Sequence, residues 1–310
     1  MTAGLPSGTP DAVAFLGTPD VAVTSLHALH SAGLPIRMVV TRPDARRGRR
    51  ESSTSSPVKR AAEDLGIPVT HDLENVRAAL AGARSPLGVV VAYGRRIPLG
   101  VLDVVPMVNL HFSLLPRWRG AAPVERAILA GDRETGVCVM ELAPELDTGP
   151  VHSRVRVTIG EHETADALRR RLSETGSTAL TTCCVRGFGV GTPQSGQPTY
   201  AAKITTSDRV ANWTGSTSMI ARQVRIGGAI TALHGVRVLI LEATPSNLPA
   251  GASSEPGVVT LTPNGDVIVA CADGALVLRT VQQEGRRALE ATSWWNGIAS
   301  AHRGSIRFGS

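Results

Sequence analysis

Aromatic residues and long apolar runs are both scarce in this chain, and each scarcity argues against a class of protein. Aromatic side chains make up only 3% of the 310 residues, which argues against binding nucleic-acid bases on an extended aromatic surface. No apolar run approaches the roughly 20 residues that a transmembrane helix needs. The first eleven residues contain no lysine or arginine, so they do not resemble a signal or transit peptide.

The four cysteines indicate neither a disulfide framework nor a metal site. Cys138, Cys183, Cys184 and Cys271 lack the spacing of zinc ligands, and two of them are adjacent. We interpret them as free thiols in a reducing environment. The cysteines therefore predict a cytoplasmic protein that binds no metal.

Two nucleotide-binding signatures are also missing. No Gly-x-Gly-x-x-Gly fingerprint follows the first predicted strand, and no Walker A loop occurs in the chain. Their absence argues against a nicotinamide-dependent dehydrogenase and a P-loop ATPase. Gly17–Pro19 stands where the fingerprint would be, and we interpret it as an ordinary strand-to-helix turn with Thr18 as the N-cap.

Positive charge is concentrated in one short part of the chain. The net charge is +6, and residues 42–60, here called the basic segment, contain seven basic and two acidic residues. An arginine-rich loop of this kind suits the phosphate backbone of a nucleic acid. A solvated surface loop would have the same composition, so charge alone leaves both interpretations open.

The N-terminal half alternates short apolar runs with helical patterns. Strands are predicted at residues 12–16, 36–41, 67–70, 87–92, 105–111 and 135–142, and helices at residues 19–32, 57–65, 123–130 and 164–182. This alternation predicts an α/β fold with a doubly wound, mostly parallel sheet. Ligands bind outside the carboxyl ends of the strands in such sheets, where Tyr93–Gly94 and the strand of Asn109 and His111 end.

The C-terminal part of the chain has a different pattern. Residues 190–198 are rich in glycine and proline and indicate a linker. After a helix near residues 216–224, a small β-barrel of the oligonucleotide-binding type is predicted from short strands at residues 236–242, 258–262, 267–270 and 275–281. Residues 243–255 are predicted to form an exposed loop. The predicted domains are therefore residues 1–189 and 207–310, joined by a linker at residues 190–206.

An amide, an imidazole and a carboxylate indicate a catalytic site between residues 109 and 149. Asn109 and His111 are two residues apart, so on a strand both side chains point to the same face. Asp147 lies in a later Leu-Asp-Thr-Gly turn, from where it could orient the imidazole. Together they supply an oxyanion donor, a proton shuttle and an orienting group for attack of an amine on a carbonyl. An aspartic protease would need a second such carboxylate turn, which the sequence lacks.

Short segments spread over nearly the whole chain match a known family. They are residues 15–20, 42–44, 56–59, 91–94, 109–116, 119–123, 146–149, 199–204, 273–274 and 281–282. In these segments the chain resembles the methionyl-tRNA formyltransferases of the folate-dependent formyltransferase family. The resemblance implies transfer of a formyl group from 10-formyltetrahydrofolate to the α-amino group of methionine on initiator tRNA. It also implies a formyltransferase N-terminal domain followed by a C-terminal barrel that binds tRNA.

The resemblance also implies the residues of the site. Asn109, His111 and Asp147 would form the catalytic set. Folate would bind along Tyr93, Gly94, Ser113, Leu114, Leu115 and Pro116. The tRNA acceptor end would contact Arg42, Arg46, Arg47, Arg49, Arg50 and Lys59 of the basic segment. We expect a monomer that needs no metal and does not associate with membranes.

The chain departs from the family pattern at three places and leaves three other functions to be weighed. Residues 52–55 replace a lysine and a large apolar residue, Arg95 replaces a glutamine, and residues 225–231 replace a proline- and aromatic-rich run. The alternatives are an N-formyltransferase for amino-sugar nucleotides, a 10-formyltetrahydrofolate hydrolase and a noncatalytic tRNA-binding protein. The C-terminal matches disfavour the first, the basic segment disfavours the second, and the intact catalytic set disfavours the third.

Overall fold

The computed structural model describes residues 4–44, 55–298 and 306–309, and the chain divides into two compact units. The first unit comprises residues 1–124, 133–158 and 168–202. The second comprises residues 125–132, 159–167 and 203–310. The domain boundaries at residues 189 and 207 stay predictions.

A seven-stranded sheet dominates the first unit. The strands up to residue 158 are β1 Ala12–Gly17, β2 Ile36–Val40, β3 Val69–Thr70, β4 Pro86–Val91, β5 Met107–His111, β6 Arg119–Gly120, β7 Glu134–Glu141 and β8 Val151–Thr158. The order across the sheet is β3-β2-β1-β4-β5-β7-β8, with parallel pairing from β3 to β5 and antiparallel pairing of β7 and β8. The predicted α/β fold with a mostly parallel sheet is thereby confirmed. The order reverses between β1 and β4, the position at which ligands bind in doubly wound sheets.

Helices connect these strands, and the four longest lie where the apolar pattern predicts them, except that the first begins later than predicted. The helices up to residue 186 are α1 Val23–Ser31, α2 Pro57–Asp64, α3 Glu74–Ala79, α4 Leu99–Leu102, α5 Pro123–Ala130 and α6 Ala165–Arg186. Ser56 caps α2 by accepting from the Lys59 N–H, with Pro57 at the first helical position. Thr18 does not cap α1 as predicted, because a 3-10 turn at Asp20–Ala22 comes first. Its hydroxyl instead donates to the Tyr93 carbonyl oxygen and accepts from the Arg42 N–H, both at 3.3 Å.

The position of β5 fixes the predicted catalytic strand on both edges. β5 pairs with β4 on one side and β7 on the other, so Asn109 lies between Val90 and Met140. His111 lies opposite Cys138 at the carboxyl end of the same strand. A strand that is hydrogen-bonded on both edges cannot slide without moving its neighbours, so the backbone beneath Asn109 and His111 is rigid.

A short parallel pair lies apart from this sheet within the first unit. β6 pairs with β9 Tyr200–Ala201, in the register Arg119 to Tyr200 and Gly120 to Ala201. Both the Ala121 N–H and the Ala122 N–H then donate to the Ala201 carbonyl oxygen. The pair therefore attaches part of the predicted linker to the segment that follows β5.

An antiparallel sheet packed against a large apolar core forms most of the second unit. Its elements are α7 Thr217–Arg225, β10 Ala229–Leu233, β11 Val236–Ser246, β12 Val259–Leu261, β13 Val267–Cys271, β14 Gly274–Gln283, β15 Leu289–Glu290 and α8 Ala291–Asn296. The order is β10-β11-β14-β13-β12, with β15 beside β14. Trp213 stacks on Phe308 at 5.5 Å between ring centroids, and both are buried with Trp294 and Val238. This arrangement fits the small barrel-like domain predicted from the sequence.

The sequence and the structure differ at a few elements. β6, β8, β9, β10 and β15 are strands that the sequence does not predict, and α3, α4 and α8 are short helices that it also does not predict. β11 continues to Ser246, so residues 243–246 form a strand rather than part of the predicted exposed loop. The reason is pairing, because Ala243 to Ser246 bond with β14 from Leu278 to Ala275. Within the described residues, every helix is too short or too polar to cross a bilayer.

Candidate active site

His111 lies at the end of β5 with its imidazole enclosed between two groups. The residue is only 5% exposed, and its Nε2 lies 2.9 Å from the Trp118 carbonyl oxygen. A carbonyl can only accept, so Nε2 must carry the proton of this hydrogen bond. In the neutral ring, Nδ1 is therefore the bare nitrogen, and it lies 3.7 Å from Asp147 Oδ2. The imidazole can take a proton at Nδ1, directly beside a carboxylate.

Asp147 is held by its side chain and by its backbone. Its Oδ2 accepts a 2.8 Å hydrogen bond from the Gly120 N–H. The 3.7 Å between this oxygen and His111 Nδ1 is too long for a hydrogen bond, so the contact is electrostatic. The backbone of Asp147 has φ +53°, the left-handed region that few residues other than glycine adopt. The structure thus brings the carboxylate of Asp147 close to the imidazole of His111.

Asn109 lies two residues before His111 on the same face of β5, with its side chain partly exposed. Its backbone is fixed by β4 and β7, so its amide has a defined starting point. An amide N–H at this strand end can donate to an oxygen that gains negative charge during a reaction.

The turn after β5 is built from hydrogen bonds that the sequence does not indicate. Ser113 Oγ donates to the Arg117 carbonyl oxygen at 2.5 Å, and the Trp118 N–H donates to Thr199 Oγ1 at 2.9 Å. Arg154 on β8 donates to the Leu115 carbonyl oxygen at 2.9 Å. These bonds fix the backbone that carries the carbonyl oxygen of Trp118, and hence the orientation of the imidazole.

The loop that carries Asp147 is fixed by a residue of the predicted linker. Gln194 Nε2 donates to the carbonyl oxygens of Asp147 and Gly149, both at 2.9 Å. Its Oε1 accepts from Arg119 Nε at 3.1 Å and from Nη2 at 2.7 Å. Sequence reasoning misses Gln194, because the glycines and prolines around it indicate a linker.

The predicted folate-binding residues lie at two strand ends of the first unit. Tyr93 is only 2% exposed and packs in the core, and burial raises the pKa of its hydroxyl. Its backbone, together with Gly94 at φ +76°, forms the turn after β4. In the turn after β5, Ser113 and Leu115 are buried. Leu114 and Pro116 are partly exposed.

Only part of the basic segment lies within the described residues. Arg42 is described at the end of β2, and Lys59 lies in α2 with its Nζ 2.7 Å from Asp44 Oδ2. This hydrogen bond raises the pKa of Lys59 and lowers the pKa of Asp44. Four predicted tRNA-binding residues lie outside the described residues: Arg46, Arg47, Arg49 and Arg50. Among the residues that are described, no group of three or more metal-ligating side chains is found.

Asn109 and His111 on β5, with Asp147 in the loop between β7 and β8, form a polar cluster typical of an enzyme that moves a proton during group transfer. The chain belongs to the formyl transferase family, because residues 11–184 match the family Formyl transferase and residues 203–299 match Formyl transferase, C-terminal domain. Among its relatives, the methionyl-tRNA formyltransferase of Roseobacter denitrificans is 40% identical over 298 residues. The matched region is 92% of this chain and 95% of that relative.

Solved structures share the fold at much lower identity. HypX from Aquifex aeolicus, in complex with tetrahydrofolic acid, has a TM-score of 0.62 and 17% identity, over 93% of this chain and 47% of that one. An N-formyltransferase from Helicobacter canadensis, in complex with folinic acid and dTDP-3-aminofucose, has a TM-score of 0.65 and 17% identity, over 86% of this chain and 97% of that one. At such identities the likeness shows the fold alone.

Proposed function

We propose that this protein transfers the formyl group of 10-formyltetrahydrofolate to the α-amino group of methionyl initiator tRNA, for translation initiation. The observation that carries the proposal is His111, enclosed between the Trp118 carbonyl oxygen and Asp147 at the end of β5. The 40% identity to a methionyl-tRNA formyltransferase, over nearly the full length of both chains, supports the choice of acceptor.

The first chemical step needs an oxyanion donor. The neutral amine of methionine attacks the formyl carbon, and negative charge develops on the formyl oxygen. The Asn109 amide donates a hydrogen bond to that oxygen and stabilises the charge. Because β5 holds Asn109 in a fixed position, little reorganisation is needed as the charge forms.

The second step moves one proton. The attacking nitrogen becomes positively charged, and His111 accepts its proton at Nδ1, the nitrogen that the Trp118 contact leaves bare. Asp147 stabilises the imidazolium from 3.7 Å away. His111 then donates the proton to N10 of the folate as the bond between carbon and N10 breaks. The products are the formylated amine and tetrahydrofolate, and neither step requires a metal.

The substrates are assigned to the strand ends and to the basic segment. We place the folate along the backbone of Tyr93–Gly94 and along residues 113–116, at the carboxyl ends of β4 and β5. The tRNA acceptor end is assigned to Arg42, Lys59 and the four arginines between them that lie outside the described residues. Lys59 is neutralised by Asp44, so these arginines supply most of the attraction for phosphate.

The two predicted domains have different roles in this proposal. We assign catalysis and folate binding to residues 1–189 and tRNA binding also to the barrel at residues 207–310, with residues 190–206 as linker. A monomer in the cytoplasm stays our prediction for the working form.

The test is a formyl-transfer assay with three acceptors in parallel. Charged initiator Met-tRNA, elongator Met-tRNA and an amino-sugar nucleotide are each incubated with 10-formyltetrahydrofolate. We expect transfer to the initiator alone, and none by the His111→Ala variant. Transfer to the sugar nucleotide, or release of formate without transfer, would overturn the proposed acceptor. Binding of tRNA without any folate turnover would overturn the enzymatic role.

A further inference from the structure

The side chain of Gln194 uses all of its hydrogen-bonding groups, its amide nitrogen on the loop that carries Asp147 and its oxygen on Arg119. Its two amide protons go to the carbonyl oxygens of Asp147 and Gly149, and its oxygen accepts twice from Arg119. We propose that Gln194 is a positioning residue that sets the place of Asp147 relative to His111. The inference rests on the proposed function of the site and adds to it a residue that the catalytic motif does not contain.

The orientation of the amide is determined by its neighbours. Arg119 can only donate and the two backbone carbonyls can only accept, so the reverse orientation would put donor against donor and acceptor against acceptor. Gln194 thus bonds to the loop and to the arginine at the same time. No other uncharged side chain of similar length offers two donors and an acceptor in this geometry.

The bonds of Gln194 act on a backbone that would not adopt its shape unaided. Asp147 has φ +53°, and a residue with a Cβ pays a penalty in that region. Gln194 binds the carbonyl oxygen of Asp147 itself and that of Gly149 two residues later. It therefore restrains the loop on the C-terminal side of Asp147, where the chain continues into β8.

The segment Arg119–Gly120 holds Asp147 in two ways. The Gly120 N–H donates directly to Asp147 Oδ2 at 2.8 Å. Arg119 acts through Gln194, because its guanidinium fixes the amide that binds the loop. The side chain and the backbone of Asp147 are thus both held by the same short strand, β6. The distance of 3.7 Å between Asp147 Oδ2 and His111 Nδ1 depends on both connections.

The test uses two substitutions at Gln194 and a control in the same segment. Gln194→Met keeps the length of the side chain and removes every hydrogen bond. Gln194→Glu keeps an acceptor for Arg119 but brings a carboxylate against two carbonyl oxygens. The control is Gln197→Met, since Gln197 is exposed in the same segment. Steady-state kinetics of initiator formylation give kcat and KM separately.

We expect kcat to fall on the order of 10- to 100-fold in both Gln194 variants, the range found for side chains that orient the ligands of a metal site. The KM values for tRNA and folate should stay within about twofold, because neither substrate has lost a contact. Backbone amides of residues 142–150 should exchange with deuterium faster, while exchange in β1 and β4 is unchanged. Arg119→Met should reduce kcat similarly, and the double variant should be no worse than Gln194→Met, since both act through one connection.

A kcat and a deuterium exchange of residues 142–150 in Gln194→Met that equal those of the wild type would refute the positioning role. A loss of kcat in Gln197→Met as large as that in Gln194→Met would also refute it. A fall in stability with kcat preserved in the folded fraction would also refute it. If Gln194→Met does not fold, the comparison of Gln194→Glu with wild type decides in the same way. A wild-type enzyme that formylates no acceptor would refute the proposed function instead, and the exchange of residues 142–150 would still test the restraint.

Discussion

Replacing Gly149 by alanine should displace Asp147 without removing any of its chemical groups. A Cβ built on Gly149 would lie 1.9 Å from the Glu141 carbonyl oxygen, which belongs to β7. Real Cβ atoms essentially never approach a heavy atom closer than 3.0 Å, so the two backbones must separate by at least about 1.1 Å. Glu141 is paired with Val108 of β5, and the next residue, Leu142, donates to the Met107 carbonyl oxygen, so the loop should move rather than the strand.

The size of the effect follows from that displacement. The carbonyl oxygens of Gly149 and Asp147 both accept from the Gln194 side chain. A shift of the loop at Gly149 is therefore transmitted to Asp147. A misplacement of about 1 Å at a catalytic group can cost on the order of 10²-fold in rate. This corresponds to roughly 2.7 kcal/mol in the activation free energy. Overpacking should also lower the free energy of unfolding by about 1–3 kcal/mol.

The assay compares Gly149→Ala with Gly189→Ala, an exposed glycine around which no atom lies within 4 Å of the added Cβ. Initiator formylation gives kcat and KM, and urea unfolding gives the free energy of unfolding for both variants. Gly189→Ala should behave as wild type, while Gly149→Ala should lose kcat by far more than its KM values change. Wild-type kcat in Gly149→Ala would show that the site does not depend on the placement of this loop, and the reasoning would be wrong.

Three further predictions address the base, the basic segment and the second unit. His111→Ala should lower kcat by about 10²- to 10⁴-fold with tRNA affinity unchanged, measured by filter binding; full activity would exclude His111 as the proton carrier. Neutralising the four basic-segment arginines outside the described residues should raise the KM for tRNA and make its logarithmic salt dependence shallower; an unchanged slope would remove them from the tRNA site. Asp208→Asn should destabilise the protein by about 1 kcal/mol at pH 7, because Asp208 accepts two hydrogen bonds from Arg126. Hydrogen bonds from Arg126, together with those from Thr205, lower the pKa of Asp208 from 3.8 to about 2. The difference is therefore complete above pH 3.8 and should shrink as the pH falls toward 2; urea unfolding that gives a constant difference would contradict it.

The fold is predictable from sequence where burial is continuous and is missed where charge interrupts it. β1 and β4 are apolar runs buried almost throughout, and their bounds in the structure differ by about one residue from the predicted ones. β8 escapes because His152, Arg154 and Arg156 alternate with its apolar residues, as is typical of an edge strand that must avoid further pairing. β10 is not predicted from the sequence because it follows Gly227–Gly228, a pair that ordinarily indicates only a turn.

The candidate site is predictable only as far as side-chain chemistry reveals it. Asn109, His111 and Asp147 can be identified because an amide, an imidazole and a carboxylate have distinct roles. The groups that orient them are mainly the Trp118 carbonyl oxygen and the Gly120 N–H, which every sequence supplies at nearly every position. Their use depends on the conformation of the turn, which no local pattern specifies.

The order in which the chain is made has a consequence for when the site can work. Arg119 and Gln194, which meet across 75 residues of chain, are both needed to fix the loop between them. A ribosome adds roughly 5–20 residues per second, so on the order of 4–15 seconds separate the synthesis of these two side chains. In the later part of that interval the nascent protein contains Asn109, His111 and Asp147 but not yet the strand β9 that pairs with β6. The enzyme is therefore expected to gain its activity only after the chain well beyond Asp147 has left the ribosome and docked.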